Sequence, residues 1–331
     1  MNTPAEAITI DDVRAAAQRL SDQAIVTPLL ESPFINEIAG KRVLIKAECM
    51  QRTGSFKFRG AWSAISALDN ESRDRGVLAF SSGNHAQGIA LAAQIAGIDA
   101  VIIMPNDAPQ LKIDNTRSFG AEVVLYDRPG GENREQLGET LAQERGLHLI
   151  KPYDNAYVMA GQGTCGLEIA AQAKAMGIDS ANVLACCGGG GLTSGIAIAL
   201  EADAPSFDVR PVEPRDYDDV IRSQVAGTRQ FVTKWESTIC DAIVTPAPGE
   251  LTFPIIHRLC KTGLTVTDQE ALQAMGHALQ RLKVVAEPGG AVALAAALFH
   301  SAKLDADTII AVISGGNTDA ITLQQAINTL G

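Results

Sequence analysis

The stretch NVLACCGGGGLTSGIAIAL (182–200) runs from an apolar segment through four consecutive glycines into a second apolar segment rich in helix formers. It reads as strand, turn and helix. One glycine is enough for a tight turn. Four let successive backbone N–H groups point inward, and the helix behind them adds its positive N-terminal end. Gly188, Gly189, Gly190 and Gly191, with Leu192 directly after them, therefore form a candidate phosphate cradle. The loop is not a dinucleotide fingerprint, because Ser194 stands where G-x-G-x-x-G needs its last glycine. It also lacks the lysine and the magnesium-binding hydroxyl of a nucleoside-triphosphate loop. A ligand with a single phosphate, held by backbone amides, fits better.

Outward from this loop the same rhythm repeats. RVLIKAE, GVLAF, AVIIMP, AEVVLY, LHLIKP, DVRPVEP and TIIAVISGG are further strand candidates, and longer helical segments separate them. HAQGIALAAQIAG and LTSGIAIALEA are apolar nearly all round, as helices packed on a sheet are, whereas NREQLGETLAQERG is amphipathic and ends in glycine. Alternation of this kind predicts an α/β protein with parallel sheets covered on both faces. At 331 residues the chain is long enough for two cores. A small domain over 76–152 is expected, inserted into a larger one built from 1–68 and 153–331. Two more polar loops, SSGN (81–84) and SGGN (314–317), follow strand candidates, and the carboxyl ends of parallel strands are where ligands bind.

Composition narrows the function classes. Hydrophobic content of 46% with 20% charged residues is that of a globular domain, and a net charge of −11 argues against nucleic acid as a partner. No apolar run reaches the ~18 residues of a membrane helix, and the opening MNTPAEAITIDD has no basic-then-apolar leader pattern, so a cytoplasmic protein without membrane contact is expected. The six cysteines form no C-x-x-C and no zinc-like spacing with histidine, and read as reduced, mostly buried thiols.

One residue is out of place. In RTGSFKFRGA (52–61) Lys57 lies between two phenylalanines, just after a glycine-serine turn. Taken alone, it is a lysine laying its stem on apolar surface with its ammonium in water. The rest of the chain changes that. TGSFKFRGA, SSGNHAQG, AGQGT, GGGGL, EPGGA and SGGN follow one another in an order and at separations that resemble the fold-type II pyridoxal-phosphate enzymes, and among them the serine/threonine dehydratases and serine racemases.

The resemblance implies a tryptophan-synthase-β-like fold, two three-layer parallel-sheet domains with pyridoxal 5'-phosphate between them. It implies that Lys57 carries the cofactor as a Schiff base and acts as the catalytic base, and that Phe56 packs on a face of the pyridine ring. Asn84 faces the ring oxygen, Gly188 to Gly191 and Leu192 hold the phosphate, and Ser314 faces the ring nitrogen. The apolar neighbours Phe56 and Phe58 suit an amine that must be neutral to act. Ser81, Ser82, Asn84 and His85 are the expected grip on the substrate carboxylate, with Ser82 a further acid-base candidate of the racemase type. The implied activity is elimination of water from a β-hydroxy amino acid such as L-threonine or L-serine, giving a 2-oxo acid and ammonia. Dehydration of 3-hydroxyaspartate or racemisation of serine is the alternative; a β-replacement synthase or a non-enzymatic phosphate binder is more remote.

Three features bear on substrate and assembly. Arg134 is either a solvated surface arginine or, by likeness to serine racemases, a clamp for a second substrate carboxylate. VEPRDYDD (212–219) sets Glu213 and Asp219 six residues apart, a spacing that in serine racemases binds Mg2+ or another divalent cation together with the carbonyl at the position of Tyr217; the alternative is a helix capped by its own aspartates. CDA (240–242) replaces the A-D-G common in relatives, and Cys186 and Cys187 stand where relatives have small apolar residues. The partner expected is a small amino-acid substrate, and a homodimer is expected because dimers are common in this fold.

Overall fold

The computed structural model describes residues 7–128 and 130–331, without the side chain of Glu135. Among the described residues ten strands form two sheets. They are β1 (Leu29–Glu31), β2 (Arg42–Ala47), β3 (Val77–Phe80), β4 (Ala100–Pro105), β5 (Glu122–Tyr126), β6 (His148–Leu149), β7 (Ala181–Cys186), β8 (Phe207–Pro214), β9 (Leu264–Val266) and β10 (Thr308–Ile313). One sheet runs β1-β2-β10-β7-β8-β9 and draws on both flanks of the chain; the other runs β5-β4-β3-β6 and is made entirely within 77–149. Every pairing is parallel except β1 with β2. The antiparallel edge and the short strand β9 escape the sequence reading because three residues carry too little periodicity to register.

β4 and β7 are buried along their whole length, and β10 beyond its first residue. Both faces of these strands are covered, which is why they read as unbroken apolar runs. The helix Pro288–Phe299, PGGAVALAAALF, is buried nearly throughout and supplies Ala291 to Leu298 to the larger core.

The helix Lys57–Ser66, expected with the large unit, contributes to the other core. Phe58, Ala61, Ala64 and Ile65 pack with Val77, Ala79 and Ile102. Phe58 stacks on Trp62 with ring centroids 6.5 Å apart. The opposite side of this helix is tied to the large sheet through buried charge. Arg59 donates to Glu48 through Nε and Nη2, each at 2.8 Å, and to Glu168 Oε1 through Nη1 at 2.7 Å. Lys46 Nζ donates to Glu168 Oε2 and to the Thr27 carbonyl, each at 2.6 Å. Burial pushes the Glu48 carboxyl up, but Arg59 and Lys46 hold it below the usual carboxylate range. The helix that begins at Lys57 is thus pinned between the two sheets. No helix of the described residues is long and apolar enough to cross a membrane.

Candidate active site

β3, β7 and β10 end at a single cleft. Ser81 to Asn84 follow β3, Gly188 to Gly191 follow β7 and Ser314 follows β10, and all line it. The chain before Lys57 joins the same floor: Ser55 forms an isolated bridge with Gly315, and the Phe56 N–H donates to the Ser314 carbonyl at 3.0 Å. The cleft is open to solvent.

Lys57 is the first residue of its helix and projects into this cleft. Its Nζ donates to the Pro152 carbonyl at 3.0 Å and lies 5.1 Å from the centroid of the Phe56 ring. Burial lowers the ammonium to about 8, with Cys186 and Glu287 pulling the other way. Desolvation therefore makes the neutral amine more available near neutral pH than in a solvated lysine, and a neutral amine can both bond to an aldehyde and take a proton from carbon. The two phenylalanines beside Lys57 lie in different places. Phe56 lines the cleft, whereas Phe58 points away into the small-sheet core, because successive helical positions are about 100° apart.

The loop after β3 is organised by its own bonds. Ser81 Oγ accepts the Gly83 N–H at 3.1 Å, and Asn84 opens the helix Asn84–Ala96. Asn84 Oδ1 accepts from Asn317 Nδ2 at 2.8 Å, and Asn84 Nδ2 donates to Glu287 Oε1. His85 donates through Nε2 to the Ile150 carbonyl at 3.2 Å, and burial drives it down to about 3, so it is neutral. Its Nδ1 is buried with no hydrogen-bond partner among the described residues. Ser82 lines the cleft beside these groups.

Gly190 adopts φ +91°, a left-handed conformation open to glycine. A Cβ on Gly188 would come within 2.6 Å of the Ile243 carbonyl oxygen, and one on Gly189 within 2.2 Å of the Tyr153 ring. Leu192 is buried behind the loop. Ser314 is buried on the cleft floor, and its Oγ accepts the Cys186 thiol proton at 3.1 Å.

Several groups at the site were not assigned from sequence. Glu287 is 2% exposed, and burial pushes it up to about 7 despite Lys112, whose Nζ lies 3.8 Å from its second oxygen. Lys112 also faces Asp241 at 3.5 Å. Glu287 heads the quoted EPGGA, so a signal was present, but a lone acid before a Pro-initiated helix usually serves the helix terminus. Cys186, read as a buried thiol, lines the cleft.

Arg134 opens the helix Arg134–Arg145 and reaches the cleft wall, with Cζ 5.4 Å from the Phe80 ring centroid. Glu213 and Asp219 do not line this cleft; they stand at the end of β8 and the start of the helix Asp219–Ala226. Glu213 accepts the Val220 and Ile221 N–H groups, both at 2.9 Å, which gives that helix a cap from outside itself. Burial, then the charge of Asp219, pushes Glu213 far up; burial pushes Asp219 up to about 7, and its Oδ2 has no partner among the described residues. Tyr217, also buried, donates its hydroxyl to the Glu236 carbonyl. Among the described residues no group of three or more His, Cys, Asp or Glu side chains could hold a metal ion, so any cation here rests on two carboxylates and backbone oxygen.

Residues 20–315 match the family described as pyridoxal-phosphate dependent enzyme. The chain belongs to that family. This pyridoxal-phosphate dependent enzyme is 43% identical over 311 residues to an L-threo-3-hydroxyaspartate ammonia-lyase of a Pseudomonas species, covering 93% of this chain and 95% of that protein. It is 40% identical over 311 residues to a serine racemase of Schizosaccharomyces pombe, covering 94% of each. The crystal structure of a threonine deaminase from T.th. superposes with a TM-score of 0.88 at 44% identity, over 94% of this chain and 99% of that one.

The residues present suit this enzyme's cofactor. The glycine loop offers backbone without side chains at a helix N-terminus, Lys57 offers a desolvated amine in the same cleft, and Ser314 offers a buried hydroxyl on its floor. Pyridoxal phosphate, when bound, supplies a conjugated ring that accepts the electron pair left at a substrate α-carbon.

Proposed function

We propose that this enzyme is an ammonia-lyase of β-hydroxy-α-amino acids with 3-hydroxyaspartate as its preferred substrate. Water leaves across the Cα–Cβ bond, and hydrolysis of the resulting enamine adds water back, so the net products are a 2-oxo acid and ammonia. In this reading Lys57 holds the cofactor and its Nζ takes the α-proton. Asn84, Gly188 to Gly191, Leu192 and Ser314 hold the cofactor, with Phe56 against the ring. Ser81, Ser82, Asn84 and His85 grip the substrate α-carboxylate.

The observation that carries the substrate class is the position of Arg134 on the wall of the cleft that holds Lys57, rather than on open surface. A guanidinium clamps a carboxylate through two parallel hydrogen bonds, and 3-hydroxyaspartate has a second carboxylate where threonine has a methyl group and serine a hydrogen. The name of the Pseudomonas relative supports the same choice. Arg134→Ala is expected to lose at least about tenfold in kcat/KM on 3-hydroxyaspartate, ~1.4 kcal/mol, while sparing L-serine. Keto-acid assays on both substrates test it; equal losses on both, or none, would remove Arg134 from substrate recognition and return threonine and serine as the substrates.

A divalent cation such as Mg2+, held by Glu213, Asp219 and the Tyr217 carbonyl, is the structural part of the proposal. It is supported by two adjacent buried carboxylates, one with an oxygen that lacks a partner among the described residues. Saturating Mg2+ is expected to raise the Tm of the native protein by about 2–5 °C and to leave Asp219→Asn unmoved. An equal rise in both proteins would mean that the ion acts elsewhere.

A further inference from the structure

β7 and β10 are neighbours in the large sheet, and their ends carry Cys186 and Ser314 to the same level of the cleft floor. Both side chains are 4% exposed, and Cys186 Sγ lies 3.1 Å from Ser314 Oγ. The backbone of Ser314 is already committed. Its N–H donates to the Gly290 carbonyl at 3.2 Å, and its carbonyl accepts from Phe56. The hydroxyl is what Ser314 has left to offer the cleft.

A hydroxyl and a thiol can share protons in two ways. Sulfur is a weak acceptor and S–H a weak donor, whereas a hydroxyl is good at both. If Ser314 donated to the sulfur, its strong donor would be spent on a weak acceptor. If the thiol donates to Oγ, the hydroxyl proton is released toward the cleft, where a ring nitrogen is a strong acceptor. Burial, opposed by Ser314 and Lys57, pushes the Cys186 thiol up to about 11, so its proton is present at neutral pH.

We propose that Cys186 is a positioning residue: its thiol proton occupies the Ser314 hydroxyl oxygen and thereby aims the Ser314 hydroxyl proton at the pyridine nitrogen of the cofactor. The nitrogen is then an acceptor and carries no proton of its own, which limits the electron withdrawal the ring can offer. This rests on the proposed placement of Ser314 against that nitrogen.

The test uses holoenzyme loaded with pyridoxal phosphate 15N-labelled at the ring nitrogen, with Tm confirming that each variant folds. In Cys186→Ala the 15N resonance is expected to move toward that of a pyridine nitrogen without a hydrogen bond, and the cofactor dissociation constant to rise about fivefold. Cys186→Ser, which restores a donor of similar reach, is expected to return both toward native values. Ser314→Ala is expected to move the resonance the same way and further. If Ser314→Ala shifts the resonance while Cys186→Ala leaves both resonance and affinity native, or if Cys186→Ser fails like Cys186→Ala, the role of Cys186 is wrong and that of Ser314 stands. If Ser314→Ala leaves the resonance unmoved, the placement of Ser314 fails and this inference with it.

Discussion

Lys57→Ala is expected to lower kcat by at least about a thousandfold and to leave the purified protein colourless where the native protein is yellow. Two lysines line the cleft, and their surroundings give them different chemistry. Lys112 faces the carboxylates of Asp241 and Glu287, at 3.5 and 3.8 Å. Lys57 donates to a neutral carbonyl and is lowered by burial to about 8. The rate at which cofactor-free protein takes up pyridoxal phosphate should accordingly rise with pH and level off above about 8, as the ammonium of Lys57 loses its proton. Borohydride reduction and peptide mapping decide the assignment. A pyridoxyl group on Lys112 would overturn it, as would a Lys57→Ala protein that still turns over.

Arg59→Met should destabilise the protein by about 3–5 kcal/mol, although Arg59 does not line the cleft. Its guanidinium is 1% exposed and binds two carboxylates, Glu48 and Glu168, one of them fully buried. Methionine fills the volume but leaves Glu48 with Lys46 as its remaining cationic neighbour. The cost therefore comes from an undercompensated buried carboxylate rather than from lost packing. A second change, Glu48→Gln, should recover part of the loss, and the coupling between the two sites is read from urea denaturation of both single variants and the double variant. A loss below about 1 kcal/mol for Arg59→Met would mean that the network is hydrated and contributes like a surface pair. Because Arg59 lies two residues after Lys57 on the same helix, cofactor affinity should fall along with stability.

The glycine loop was legible in the sequence because it depends on local chemistry, whereas Lys57 was singled out by the order of motifs along the chain. Gly188 to Gly191 lie between a strand and a helix that the apolar pattern itself announces, and backbone freedom at Gly190 is a property of that residue alone. The long parallel strands were legible for the same reason: burial on both faces demands unbroken apolar runs, and β4, β7 and β10 have them. Strands β1 and β9 owe their existence to partners outside their own three residues, and nothing within those residues reveals that.

The remaining site residues acquire their chemistry from neighbours that only folding supplies. Phe56 and Phe58 are alike in sequence, but the start of the helix, with Phe56 before it and Phe58 within it, sends one to the cleft and the other to the core. Glu287 is an ordinary acid until Asn84 and Lys112, from the other sheet's helices, meet it in a place where water is excluded. Arg134 could be surface or, by likeness to serine racemases, site, and it lies beside Phe80 on the cleft wall. The sequence by itself determined which backbone segments could form strands, helices and a phosphate loop, since those depend on side-chain periodicity and glycine. The tertiary structure decided which side chains are desolvated together, because the free energy of burying a charge depends on its distance to groups that lie far away in the chain.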